Sequence, residues 1–159
     1  STAERDALLL QLEARGTAAP PPTDLDHIMR SEHLRALAAR GHEIGAHSMT
    51  HPILPRCDAS ALPEEVAGAR ERLQHLTGAP VDTFCFPNGD HNAAVRDATR
   101  VAGYRVSLST AQGLNRPGAE PFVLQRVFIH EERLSGAGGA PSRDLLRAEL
   151  AFAHRFRGR

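Results

Sequence analysis

Gly41-His42-Glu43-Ile44-Gly45-Ala46-His47-Ser48-Met49-Thr50-His51-Pro52 decides how the rest of the chain is read. A short apolar run ends at Ala46, His47 follows at once, and His51 comes four residues later. On a helical turn residues i and i+4 share a face, so two neutral imidazoles at this spacing can aim ring nitrogens at one Zn²⁺ or similar divalent ion. Gly45 and Ala46 leave room beside the backbone, and Pro52 disfavours the α region for His51. The expectation is a strand-to-loop corner, where open coordination positions are found, rather than mid-helix. Taken alone, the spacing also fits two partly exposed loop histidines in a chain that has nine.

Outward from this stretch the chain alternates helix and strand. Leu8, Leu9, Leu12 and Ala14 lie among charges and predict an amphipathic helix over 2–15, which stops before Gly16 and the Pro20-Pro21-Pro22 run. Ser31 is expected to cap a helix through Ala39, with Leu34, Leu37 and Ala38 as its buried stripe and Gly41 as its stop. A strand over 43–46 then delivers His47. A long helix is expected from about Ser60, with Pro63 in its first turn, Val66, Ala69, Leu73 and Leu76 at helical period, and Gly78 at its end. Further expectations are a strand over 81–86, a helix over 92–102, a strand over 104–109, a β-rich run over 122–129 and a serine-capped helix over 142–154. Such alternation points to α/β architecture with a parallel sheet or barrel.

A chain of 159 residues fits one domain and buries about two-thirds of its unfolded surface. Residues 1–30 read as an N-terminal helix and Pro-rich linker, and 31–159 as the α/β domain. The 19 basic and 19 acidic residues cancel, so no net field draws the chain to nucleic acid or an anionic membrane. All the basic residues are arginine, which suggests a GC-rich bacterial genome. Cys57 and Cys85 are too far apart in sequence for a zinc ribbon, and nothing in their spacing demands a disulfide. No apolar run approaches the roughly 20 residues of a membrane span, and the N-terminus lacks a basic-then-apolar signal pattern. The default expectation is a soluble, cytoplasmic chain.

The His47 stretch closely resembles the metal-binding motif of the polysaccharide deacetylases, the NodB-homology carbohydrate esterases, whose pattern is H-[ST]-x-x-H-P after a G-[HY]-E-[IV]-[GA] strand. Asp82-Thr83-Phe84-Cys85-Phe86-Pro87-Asn88-Gly89-Asp90 is similar to the family's F-[AC]-[YF]-P-x-G-[DE] segment. The stretch from Ala102 to Thr110, then Gly113-Leu114-Asn115 and Leu124-Gln125-Arg126, resembles its later punctuation, so the likeness covers roughly 31–130.

This resemblance implies a distorted (β/α) barrel, here a partial one with its first strands missing. It also implies a divalent metal, zinc first with cobalt and nickel as alternatives, held by His47, His51 and an aspartate. The metal would polarise an acetamide and activate water while a separate carboxylate acts as general base, on an N-acetylated polysaccharide or oligosaccharide. Phe86, Pro87 and Asp90 are the substrate-binding candidates, and the backbone amide of Asn88 is the candidate oxyanion donor, since Pro87 has none. For Asp90 capping of the following helix is the first reading and a substrate-facing role the second. Val127-Phe128-Ile129-His130 resembles the family's late L-x-x-H, making His130 a candidate general acid, although Leu124-Gln125-Arg126-Val127 better matches a different strand and leaves His130 as an exposed strand-end residue.

The departure is at the N-terminus. The family's T-F-D-D-G strand supplies the base and the aspartate ligand, and this sequence contains no adjacent aspartates. Asp24 and Asp26 are not adjacent and follow a proline run, which suits a linker or cap. The expectation is a chain that begins part-way through the domain, whether a truncated product, a fragment or a degenerate paralogue. It is either a deacetylase whose remaining groups come from elsewhere or an inactive carbohydrate- or metal-binding relative. An edge left open by missing strands would suit a second copy of the chain.

Overall fold

Phe84, at the centre of a short strand, is fully buried, and the fold is built around it. A computed structural model describes residues 28–130, 134–136 and 139–152, with positions 4, 7, 8, 10, 11 and 14 before them. Strand β1 (Thr83–Cys85) pairs in parallel with β2 (Val106–Gln112), placing Phe84 opposite Ser107. Strand β3 (Leu124–Arg126) joins the far side of β2, also in parallel, so the sheet order among the described residues is β1-β2-β3. The helices are α1 (Ser31–Ala39), α2 (Ala69–Thr77), α3 (Ala93–Val101) and α4 (Arg143–Phe152). The mixed α/β class and its parallel sheet follow the expectation.

Strand alternation separates two faces. Phe84, Ser107 and Ser109 are buried, in a layer with Val66, Val81, Val95, Thr99 and Tyr104. Thr83, Cys85, Val106 and Leu108 point the other way and line an open groove. In the covered layer the Phe84 ring meets Phe86 at 5.6 Å and Tyr104 at 5.1 Å, both off parallel. Each fully buried apolar side chain contributes about 1.5–3 kcal/mol, and each aromatic pair about 0.5–1.5 kcal/mol more. The Tyr104 hydroxyl donates to the Val66 carbonyl at 2.9 Å, so its polar atom is satisfied inside the core.

Several elements differ from the sequence expectation for definable reasons. Helix α1 has the predicted span, but Arg30, not Ser31, is its N-cap, because the His33 ring nitrogen accepts the Arg30 amide at 3.2 Å. The long helix opens as a π-helical turn, Glu64–Gly68, before continuing as α2 and stopping at Gly78, whose φ is 68°. The strand expected before His47 is reduced to one parallel bridge, Ala46 to Phe84. Strand β2 starts at Val106 instead of Tyr104, since the amides of Arg105 and Val106 both turn to the Asp82 carbonyl. Strand β3 is shorter than the apolar run that contains it, and Phe128 and Ile129 beyond it are exposed.

The final helix is capped as expected, with the Ser142 hydroxyl accepting the Leu145 amide at 3.3 Å. Glu4, Ala7, Leu8, Leu10, Gln11 and Ala14 are helical, in keeping with the predicted N-terminal helix. The Pro20-Pro21-Pro22 run and the chain beyond 152 lie outside the described residues. Among the described residues no helix is long and apolar enough to cross a membrane. Cys57 and Cys85 are both free thiols.

Candidate active site

His47 is placed by backbone pairing. The Ala46 amide donates to the Thr83 carbonyl at 2.9 Å and the Ala46 carbonyl accepts the Cys85 amide at 2.8 Å. These two bonds hold the next residue, His47, at the carboxyl end of β1, where parallel α/β folds gather their ligand-handling groups. Its Nδ1 then lies 2.8 Å from the Cys85 carbonyl oxygen. A carbonyl can only accept, so Nδ1 carries the proton and the Nε2 lone pair of the neutral ring faces away. This is how histidine ligands are oriented in metal sites.

His51 reaches the same place through a folded loop, not a helix. Ser48 and His51 both have left-handed backbones, at φ 64° and 58°. Such conformations cost of order 1–3 kcal/mol each for non-glycine residues and persist only where surroundings enforce them. Here the Ser48 hydroxyl accepts the His51 amide at 2.9 Å. Glu65, buried in the π-helical turn, accepts the Met49 and Thr50 amides at 3.0 and 2.9 Å and the Thr50 hydroxyl at 2.5 Å. Sequence reading gave Glu65 no role; it lies in a separate element, and only tertiary packing brings its carboxylate to the loop.

The outcome is a pair of exposed imidazoles with ring centroids 4.8 Å apart and planes at 74°. Two rings sharing a tetrahedral zinc at about 2.0–2.1 Å per nitrogen have centroids about 5 Å apart. The pair therefore suits one divalent ion. Among the described residues no cluster of three or more His, Cys, Asp or Glu side chains could hold a metal. Asp24 and Asp26 lie outside the described residues.

The Phe86–Gly89 turn follows directly from the strand that anchors His47. Phe86 and Pro87 are buried, Phe86 being stacked on the His91 ring at 4.9 Å, so both face the protein interior. Asn88 is left-handed at φ 54°. The Gly89 and Asp90 amides are taken by the Phe86 and Pro87 carbonyls, leaving that of Asn88 as the turn's remaining N–H. The Thr110 hydroxyl donates to the Asn88 carbonyl at 3.1 Å and ties the turn to β2. Asp90 is exposed and does not cap α3; the Asn92 side chain does, accepting the Val95 amide at 2.9 Å. The shorter reach from Asn92 to its own third residue wins that role.

The groove beside His47 has a volume of about 650 Å³ and is lined by Glu43, Gly45, Ala46, Thr83, Cys85, Val106, Leu108 and Arg126 as well. Burial pushes the Cys85 thiol above its ordinary pKa, and the Arg126 guanidinium partly offsets this. Arg126 also borders a cavity of about 410 Å³ lined by Thr110, Gln112, Val127, Phe128 and Ile129. His130 is exposed and stacks on Phe128 at 5.8 Å, lining neither space.

Comparison with known proteins bears on the family and the fold. The family described as Polysaccharide deacetylase matches residues 18–107. The deacetylase PplD of Streptococcus pyogenes, solved with acetate, superposes with a TM-score of 0.67 at 16% identity, over 87% of this chain and 54% of that one. A putative polysaccharide deacetylase of Bacillus anthracis, BA0330, gives 0.65 at 20% identity over 80% and 38%. An uncharacterized Bacillus subtilis protein, YlxY, is 26% identical over 91 residues, which is 57% of this chain and 28% of YlxY. The chain thus spans about a quarter to a half of these relatives' lengths.

Proposed function

The chain belongs to the polysaccharide deacetylase family, and from that premise we propose that it carries part of a metal-dependent site that removes N-acetyl groups from the amino sugars of a polysaccharide. The observation that carries the reading is the His47–His51 pair, with ring centroids 4.8 Å apart and the His47 tautomer set by the Cys85 carbonyl. His47 and His51 would hold the ion, zinc first, then cobalt or nickel. Bound there, it would supply Lewis acidity to the acetamide carbonyl and lower the pKa of a bound water.

The protein's own groups divide the remaining work. Amide hydrolysis joins the water oxygen to the carbonyl carbon, breaks the C–N bond and leaves a proton on the departing amine. The Asn88 amide is the donor for the oxygen that becomes negative, and its left-handed backbone holds the turn in one shape. His130, which lines neither space, is the candidate donor to the amine. Phe86 and Pro87 act on substrate through the turn they shape, and Asp90 through its exposed carboxylate. The proposed division puts the deacetylase-like domain at 31–159 after an N-terminal segment of 1–30, the second part of which already falls within the family match of 18–107.

A second reading has its own support. It is a domain that binds carbohydrate or metal without catalysing release, and it needs no ligand beyond His47 and His51, whose rings are 4.8 Å apart. Acetate release from N-acetylglucosamine oligomers, with zinc added, separates the two. Release abolished by His47→Ala supports the enzyme, while zinc binding without release supports the binding domain. Absence of release, of zinc binding and of binding to the oligomer sinks both.

A further inference from the structure

We infer that Glu65 is the positioning residue of the two-histidine site: its carboxylate, fixed in the π-helical turn, sets the distance between the His47 and His51 rings. The inference rests on the metal-site reading for its purpose, but its geometry stands independently. Glu65 Oε2 accepts the amides of Met49 and Thr50, and Oε1 accepts the Thr50 hydroxyl. Those residues are the centre of the span joining the two histidines. Three donors on one buried carboxylate pull the middle of the loop down onto the helix, which forces the chain to turn back on either side. The left-handed backbones fall at those places, Ser48 before the anchored pair and His51 after it.

The anchor itself is unusual for a helix. Glu65 and Val66 are consecutive and both buried, Val66 in the hydrophobic core and Glu65 against the loop. The wide turn Glu64–Gly68 begins immediately before them, and π turns of this kind are found often at functional sites. Charge favours the arrangement, because hydrogen bonds to an ionised acceptor are roughly twice as strong as neutral ones. The His47 end is fixed separately, by Ala46 and the Cys85 carbonyl. Glu65 therefore governs where His51 stands relative to a ring that is already fixed.

The test uses the full chain and two readouts. The first is the nuclear Overhauser effect between the His47 and His51 ring protons without metal; the second is Zn²⁺ affinity by competition with a chromophoric chelator. Glu65→Ala and Glu65→Asp, which withdraws the carboxylate by one methylene, are expected to lose the ring-to-ring signal and to weaken Zn²⁺ binding about tenfold or more. Glu65→Gln, which keeps an oxygen acceptor, is expected to retain the signal and most of the affinity. Val66→Ala, a core truncation at the next residue, should keep both at matched folded fraction. An unchanged ring signal in Glu65→Asp, or an equal loss in Val66→Ala, overturns the inference. If His47→Ala and His51→Ala leave Zn²⁺ binding intact, the metal-site reading fails instead, and the ring signal still decides the role of Glu65.

Discussion

His47 Nδ1 sits 2.8 Å from the carbonyl oxygen of Cys85, so the strand that closes the sheet edge also chooses the tautomer of the first histidine. The contact is to backbone, not side chain, and survives any substitution at position 85 that leaves β1 in place. Removing the rings themselves is a different matter. On the metal-site reading, His47→Ala and His51→Ala are each expected to lower the Zn²⁺ content of the protein below that of the parent chain, since one remaining ligand holds the ion more weakly than two. Elemental analysis checks this, and equal metal in both variants and the parent chain would falsify the two-histidine site.

The Cys85 thiol lines the same groove and has its pKa raised by burial, with Arg126 pulling the other way. Since the thiolate is the reactive form, alkylation by iodoacetamide near pH 8 should be slow. Replacing Arg126 with Gln removes the lowering influence, raises the pKa further and slows the reaction again. Faster alkylation in Arg126→Gln would contradict this placement of the guanidinium. Cys57→Ser in the background isolates the Cys85 signal.

Tyr104 gives a pH signature of the core. Burial raises its phenol above its ordinary value, with the Arg70 guanidinium pulling the other way, so the folded state holds its proton where the unfolded state releases it. Stability is therefore intact below about pH 10 and falls as pH rises beyond it. Tyr104→Phe should lose about 1 kcal/mol at pH 8, from the missing bond to the Val66 carbonyl, and should flatten the alkaline decline. Urea midpoints measured from pH 8 to the alkaline limit read both effects.

How far the sequence could be read depended on how local each cause was. The α1 span, the Gly78 stop and the serine cap at Ser142 follow from neighbours within a turn, and all three were legible. The Asn115 and Gln125 segments matched a family pattern without an evident reason. The structure supplies one: the Asn115 side chain donates to the Gln125 carbonyl and accepts its amide, at 2.8 and 2.9 Å. What could not be read were arrangements set by packing between elements. Glu65 beneath the histidine loop, the π-helical turn that carries it, and the loss of the strand before His47 to one bridge all depend on contacts far along the chain. Capping of α3 falls to Asn92 instead of Asp90, two residues earlier in the same segment, although either side chain suits the role.

Asn115 then yields its own prediction. Its paired bonds imitate one rung of a β-ladder and dock the loop after β2 onto β3. Asn115→Ala leaves two backbone groups of Gln125 without those partners, and should cost about 1–3 kcal/mol with a lower urea midpoint. Asn115→Asp keeps the acceptor but loses the donor, so it should fall between the parent and Ala.

Gly89 carries the most severe steric demand in the candidate site. Its φ is 79°, and a Cβ there would stand 2.1 Å from the Thr110 hydroxyl oxygen and 2.7 Å from the Thr110 backbone nitrogen. The hydroxyl could rotate away, but the backbone nitrogen belongs to β2 and cannot move without disturbing the sheet. Gly89→Ala therefore combines a disfavoured backbone with overpacking, and should destabilise the fold by about 2–4 kcal/mol. A companion variant separates the two causes. Thr110→Ala removes the hydroxyl and with it the bond to the Asn88 carbonyl, so the double variant is compared with Thr110→Ala and should recover only the part owed to the side chain. Full recovery in Thr110→Ala with Gly89→Ala, measured by urea denaturation, would show that β2 does not press on the turn and that Asn88 is held in its left-handed shape by something else.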